Sequence, residues 1–355
     1  ESGAGLDAIA THDRAARWGP IKPAQLQQLS NQYPGLGEPT VHVPASYMWP
    51  SFLTWANLLN VVKNNADVAI IAIGMTMVII AAGIDLSVGS LLALSAVVTA
   101  VSIQSWAGAE SATRLGLVAC CLLGVGLCLL VGTFTGLMVT FCRVPAFIVT
   151  LAMMMIARGL SLIIAVSYQS SISVGSTTAT PEAVKIQSAL FGWLGNGELL
   201  GIPNPIWIIL ALYAAAHFVM TRTAFGRYVY AVGGNPEAAR LSGVPVFAIL
   251  VIVYALCAGF AGLAGVLDAS RFEGGRPKAG TMYELRVIAA VVVGGTSLLG
   301  GEGRILGTLI GALIIAVIQN GLNMAGVASY EQMVVFGMLI LGAALLDQAK
   351  KHWIG

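Results

Sequence analysis

Long apolar runs separated by short polar breaks dominate this chain, and their lengths predict its elements. Nine runs stand out, at 66–82, 88–103, 115–141, 145–166, 205–220, 246–267, 285–299, 305–323 and 333–346. Each is continuous rather than alternating with period two, so each reads as a helix and none as a strand of a membrane β-barrel. Several are only 14 to 17 residues long, short of the roughly 20 that cross a hydrocarbon core. Some of those are expected to be tilted, broken or re-entrant. The expected fold is all-α and polytopic, with about 9–10 membrane-spanning helices.

The remainder of the chain falls around these runs. Residues 1–42 are polar, rich in Gln, Ala, Pro and Gly, and lack the basic start and apolar core of a signal peptide; they are expected to form a cytoplasmic or disordered tail. The stretch 43–62 is mildly apolar but carries Pro44 and Pro50, which favours a helix lying on the surface over a clean span. A transmembrane domain is expected over 43–348, followed by a short cytoplasmic tail at 349–355. Two segments, 81–94 (AAGIDLSVGSLLAL) and 293–313 (VGGTSLLGGEGRILGTLIGAL), share a layout of apolar span, Gly-rich polar break and second span. That layout points to two pseudo-repeated halves with discontinuous helices.

Composition agrees with lipid as the main solvent. Hydrophobic residues make up 57% of the chain and charged residues 10%, against roughly 45–50% and 25% in a soluble domain. The 42 glycines suit helices that pack through close backbone approach. A net charge of +2 gives no reason to expect nucleic acid as a partner. Cys120, Cys121, Cys128, Cys142 and Cys257 lie in or beside apolar runs without metal-type spacing, and read as small buried hydrophobes. No metal or cofactor is expected.

Charge placement orients the chain only weakly. Arg222, Arg227 and Arg240 against Glu237 put the connection 221–245 in the cytoplasm. Alternating from there, Arg143, Arg304, Lys350 and Lys351 also fall inside, while Lys63, Arg114, Lys185, Arg271, Arg276 and Lys278 fall outside. No lysine stands in the Gly-rich context of a nucleotide-binding loop, so ATP-driven work would require a second polypeptide.

The connection 221–245 has the features of a short capped helix. Asn235 can cap it, Pro236 and Glu237 fill its first turn, and Gly243 can end it. Ala238, Ala239 and Leu241 then offer a small docking face, although an ordinary loop helix would have the same caps. Asp85, between two runs, is either the N-cap of a helix starting near Leu86 or a gating or path-lining group, and Ser87 and Ser90 suit both roles. Gly294 and Gly295 open the stretch 294–304, which either lets a gate move or makes a tight turn. Asn320, with Asn323 and Gln319, can supply neutral hydrogen-bonding groups near a helix end. Arg158 inside an apolar run requires an acid, carbonyls or water, most simply from another helix. Arg286 is expected at the outer interface, and His217 as an interfacial, non-catalytic residue.

The motif content narrows these readings. Glu237, Ala238, Ala239, three residues and Gly243 reproduce the EAA…G signature of permeases that couple to ATP-binding cassette ATPases. GMTMVIIAAGIDLSVGSLLAL at 74–94, FGRYVYAVGGNPEAARLSGV at 225–244 and YELRVIAAVVVGGTSLLGGEGRILGTLIGALI at 283–314 resemble the ribose-type branch of monosaccharide ABC permeases, in order and from about residue 55 to 347. The resemblance implies a homodimeric permease in the bacterial cytoplasmic (inner) membrane, without enzymatic activity of its own. It further implies a cytoplasmic ABC ATPase that meets Glu237, Ala238, Ala239, Arg240 and Gly243, and a periplasmic or tethered binding protein that delivers the sugar, ribose first. Such permeases usually begin with a full span before the segment matching 54–62, where this chain is polar. A branched-chain amino acid permease is the nearest alternative. An ion-coupled carrier is further off, because Asp67 and Asp85 are almost the only acids in the spans.

Overall fold

The computed structural model describes residues 8–10, 22–34, 40–42, 51–172 and 181–354. The chain divides into two units, Glu1–Leu53 and Thr54–Gly355. In the first, the described residues hold helix α1 (Pro23–Gln32) and a parallel pairing of Ala8–Ala10 with Thr40–His42. The remainder of the expected tail, and 43–50 of the expected surface helix, lie outside the described residues.

The second unit is a helical membrane domain. Its elements are α2 (Trp55–Asn64), α3 (Ala66–Ile80), α4 (Val88–Ser105), α5 (Arg114–Thr140), α6 (Ala146–Ile172), α7 (Ala189–Asn196), α8 (Asn204–Arg222), α9 (Ala224–Gly234), α10 (Pro236–Leu241), α11 (Val246–Arg271), α12 (Tyr283–Val293), α13 (Ile305–Met324) and α14 (Ser329–Ile354). Each of the nine apolar runs has become a helix. Among the described residues six, namely α4, α5, α6, α8, α11 and α13, are long and apolar enough to span alone, and α2 with α3 makes a seventh as a pair bent by 51°. Of the shorter runs, 88–103 and 205–220 became helices α4 and α8, each long enough to span, whereas the run 285–299 is interrupted, its helix α12 having eleven residues. The helix expected near 43–62 is present as α2, the first limb of that bent pair. The bend falls at Asn65, whose side-chain amide donates to the Val61 carbonyl, 2.9 Å away.

The domain is layered from the inside out. Helix α3 is buried along its entire length and α4 along most of it. Around them, α5, α6, α8 and α13 turn large apolar side chains outward, such as Leu115, Phe134, Ile163, Phe218 and Ile310, which is what a lipid-covered surface requires. Helices α5 and α11 form the most extensive pair. Gly132 and Gly136 of α5 lie directly on Ala255, Ala258 and Val251 of α11, a close approach that only small residues allow.

At the end of the domain where α3 starts and α11 finishes, a charged cluster is buried. Asp67 is 1% exposed and Asp268 0%. Arg271 donates to Asp67 at 2.7 Å and to the Lys63 carbonyl at 2.8 Å, while Arg276 pairs with Asp268 and stacks on Phe272. Asp268, which sits in the last turn of α11, was not singled out from the sequence, where Asp67 and Asp85 were named as almost the only acids in the spans. Two carboxylates and two guanidinium groups there offset one another's desolvation. Removing one partner strands the others. Arg271→Met is therefore expected to destabilise the detergent-solubilised protein by about 3 kcal/mol, read as a lower melting temperature; an unchanged melt would mean that the cluster contributes nothing to stability.

Candidate functional site

The connection between α8 and α11 is built as two short helices. Thr223 caps α9, accepting from the Gly226 N–H. At Asn235 the backbone turns extended, and its Oδ1 accepts from the N–H groups of Glu237 and Ala238, both at 3.0 Å. Pro236 occupies the first position of α10 and Gly243, at φ +81°, follows its end, so the caps read from the sequence are in place. On the outward face lie Glu237 and Arg240, paired at 2.6 Å and well exposed, a surface pair worth at most about 1 kcal/mol. Leu241 is 80% exposed and Ala238 is exposed beside it. Ala239 departs from expectation: it is 5% exposed and packs into the core. In a helix this short one side must hold it to the protein, so Ala239 anchors α10 and the outward face consists of Glu237, Ala238, Arg240 and Leu241.

From this surface a line of backbone contacts leads into the domain. Gly233, at the end of α9, lies against the Ile80 carbonyl and the Gly301 nitrogen, where any Cβ would collide. The Gly301 N–H donates to the Ile80 carbonyl at 2.8 Å, serving one of the orphan carbonyls at the end of α3. Gly300 sits on Ala82, and the Tyr230 hydroxyl of α9 donates to the Gly303 carbonyl at 2.7 Å. The stretch 294–304, between α12 and α13, thus lies against the break 81–87, between α3 and α4, and both meet the end of α9. Gly294 closes α12 against Gly307 and Thr308 of α13, and Gly295 has φ +86°. The three sequence blocks at 74–94, 225–244 and 283–314 converge here, and the two expected breaks touch.

Asp85 has a different role from a helix cap. Helix α4 starts at Val88 with Ser87 in the cap position. Asp85 Oδ1 accepts from the Ser87 N–H at 2.9 Å and from the Ser87 hydroxyl at 2.6 Å, so it closes the turn before the helix. Its Oδ2 and the Tyr254 hydroxyl are buried without hydrogen-bond partners among the described residues. Asn320 does not join this site. It exchanges amide hydrogen bonds with Asn57 of α2 at 3.1 and 3.3 Å, about 22 Å along α13 from the break.

Other singled-out residues have structural surroundings. Arg158 finds carbonyls, donating to Pro277 at 2.9 Å and Ala279 at 2.7 Å. The Arg286 guanidinium lies over the rings of Tyr283 and Phe336. His217 is half-buried on α8. Among the described residues no group of three His, Cys, Asp or Glu side chains is placed to hold a metal ion.

Comparison with known proteins bears on this arrangement. The family model described as the permease component of the branched-chain amino acid transport system matches residues 57–343. The chain is 46% identical over 306 residues to the ribose import permease protein RbsC of Escherichia coli (strain K12), covering 86% of this chain and 90% of that protein. It is 41% identical over 317 residues to RbsC of Bacillus subtilis (strain 168), at 89% and 92% coverage. Against the xylose transport system permease protein XylH of Escherichia coli (strain K12) it is 34% identical over 357 aligned positions, at 85% and 87% coverage. No solved structure matches.

The contact line predicts a difference between adjacent glycines. Gly233→Val should push α9 off Ile80 and raise amide hydrogen exchange at Gly301 about tenfold. Gly234→Ala, which meets nothing within 4 Å, should leave that exchange unchanged. Equal exchange in the two variants would disprove the contact.

Proposed function

This chain belongs to the family of the branched-chain amino acid transport permease component, and from that premise we propose that it is the membrane subunit of an ATP-driven importer of a monosaccharide, ribose first. It is a multi-pass protein of the inner membrane. The observation that carries the sugar reading is the 46% identity to a ribose import permease over most of both chains. The partners are a cytoplasmic ABC ATPase, a periplasmic or tethered sugar-binding protein, and a second copy of the chain.

The mechanism follows from how α10 is mounted. Its exposed face of Glu237, Ala238, Arg240 and Leu241 meets a groove on the ATPase. Closure of two ATPase subunits on ATP moves α10, and Ala239 obliges the end of α9 to move with it. Gly233 and Tyr230 transmit that movement directly into both breaks, at Ile80–Ala82 and at Gly300–Gly303. Breaks yield where continuous helices resist, so the motion reorients α3, α4, α12 and α13 and switches the path between its two openings. No bond is made or broken in this chain. The binding protein selects the sugar, and the permease only has to let it pass.

Ribose uptake in cells that carry the permease with its ATPase and binding protein tests this reading. Glu237→Lys should insert normally yet lose uptake on the order of tenfold or more, since a reversed charge at an interface costs several kcal/mol. Uptake that persists without the ATPase, or that follows a proton gradient instead of ATP, would overturn it. Uptake of leucine in place of ribose would assign the chain to amino acid import.

A further inference from the structure

Between α11 and α12 the chain crosses membrane depth without being helical. Gly274–Gly275 pairs with Val184–Lys185, and Gly275 then lies on Ala96, Val97 and Ala100 of α4. Five residues further on, Gly280 rests on Gly89, in the first turn of α4. The segment therefore descends about 10–16 Å along a buried helix. It turns at Gly280 and Met282, at φ +66° and +65°, before α12 begins. Exposed carbonyls at such depth require donors from the protein. Arg158 and Ser161 of α6 supply them, through the bonds to Pro277 and Ala279 and a Ser161 hydroxyl bond to Pro277 at 3.1 Å.

That arrangement occupies only one nitrogen of Arg158. A guanidinium carries five N–H donors, and both bonds to the segment come from Nη1. The same side chain lines a hollow of about 320 Å³ together with Ser90, Met154, Met155, Thr281 and Glu284, within the roughly 300–1,000 Å³ typical of ligand sites. Glu284 enters it from the first turn of α12. No ion pair within 4.0 Å joins Arg158 to Glu284 among the described residues, so a cation and an anion face one hollow without closing on each other. Charged groups at membrane depth are costly and mark solute paths.

We propose that this hollow is a contact site for the transported monosaccharide, with sugar hydroxyls bridging Arg158 and Glu284. The inference rests on the import reading above and names the residues that touch the solute. The chemistry selects a neutral polyol. Guanidinium N–H groups donate and a carboxylate accepts, matching hydroxyls that do both, while the balanced pair holds no net charge to trap an ion. Ser90 and Thr281 add hydroxyls. Met154 and Met155 give a compliant apolar wall for the C–H face of a sugar. With no aromatic platform the grip is weak, as a way station requires, since a tightly held solute would not leave. Because Arg158 also anchors the non-helical segment, the site is tied to a discontinuity that can move.

The test is saturation-transfer NMR of D-ribose on the permease assembled with its ATPase in lipid nanodiscs, with the binding protein omitted. Glu284→Gln should reduce saturation transferred to ribose about tenfold, the loss of a charge-assisted hydrogen bond. Met155→Trp, which fills the hollow from its exposed wall, should do the same if Glu284→Gln fails to assemble. Gly234→Ala, which meets nothing within 4 Å, should bind ribose like the wild type. Undiminished transfer in both hollow variants overturns the proposal, as does a wild type that imports ribose with ATP yet shows no transfer. A wild type that imports nothing but whose transfer still depends on Glu284 would sink the import reading and leave the site standing.

Discussion

Lipid offers no hydrogen bonds, so each backbone N–H and C=O that leaves a helix in this chain must find its partner inside the chain. The domain nevertheless interrupts its helices repeatedly: at Asn65, at 81–87, at 272–282 and at 294–304. Each interruption is served by a specific device. Asn65 returns its amide to Val61, Asp85 takes the N–H of Ser87, Arg158 and Ser161 serve Pro277 and Ala279, and Gly301 serves Ile80. The fold is largely a solution to that single constraint.

The solution also determines where movement can travel. Two of the interruptions satisfy one another, so neither can shift alone: the N–H of Gly301 and the carbonyl of Ile80 belong to different breaks. The end of α9 is pressed onto the same spot through Gly233. Under the proposed function, a displacement at the surface helix α10 would therefore reach both breaks and, through them, α3 and α4. The third interruption, held by Arg158, lies along the same helix α4, from Gly89 to Ala100.

Much of this was legible in the sequence, and the reasons differ by residue. The nine apolar runs became helices because lipid leaves a continuous apolar segment no alternative. The caps of α10 were legible because Asn235, Pro236 and Gly243 act through local backbone geometry. The Gly-rich stretches were recognisable as breaks for the same reason. What failed depended on distant partners. The inward turn of Ala239 is set by packing beneath a six-residue helix, which local pattern does not encode. Asp85 looked like a helix cap, but Ser87 stands closer to the helix start and takes that position. Asp268 was overlooked because its partners, Arg271 and Arg276, fold back onto it from the next turn and loop. Arg158 was read as needing an acid, carbonyls or water, most simply from another helix, whereas its carbonyls come from a non-helical segment more than a hundred residues away. The pairing of Asn320 with Asn57 likewise depends on a helix far away in sequence.

The line from Gly233 through Ile80 to Gly301 is made of main-chain atoms and carries no titratable group. Its stiffness is therefore indifferent to ionic strength and to acidity. The exposed Glu237–Arg240 pair at its outer end is not, because dissolved ions screen exposed charges over about 8 Å at physiological concentration. The chain thus separates an electrolyte-sensitive exposed face on α10 from an electrolyte-blind linkage inside the domain. Under the proposed function, ionic composition would alter how firmly an ATPase engages α10, but not how an engaged displacement is passed along the main-chain contacts.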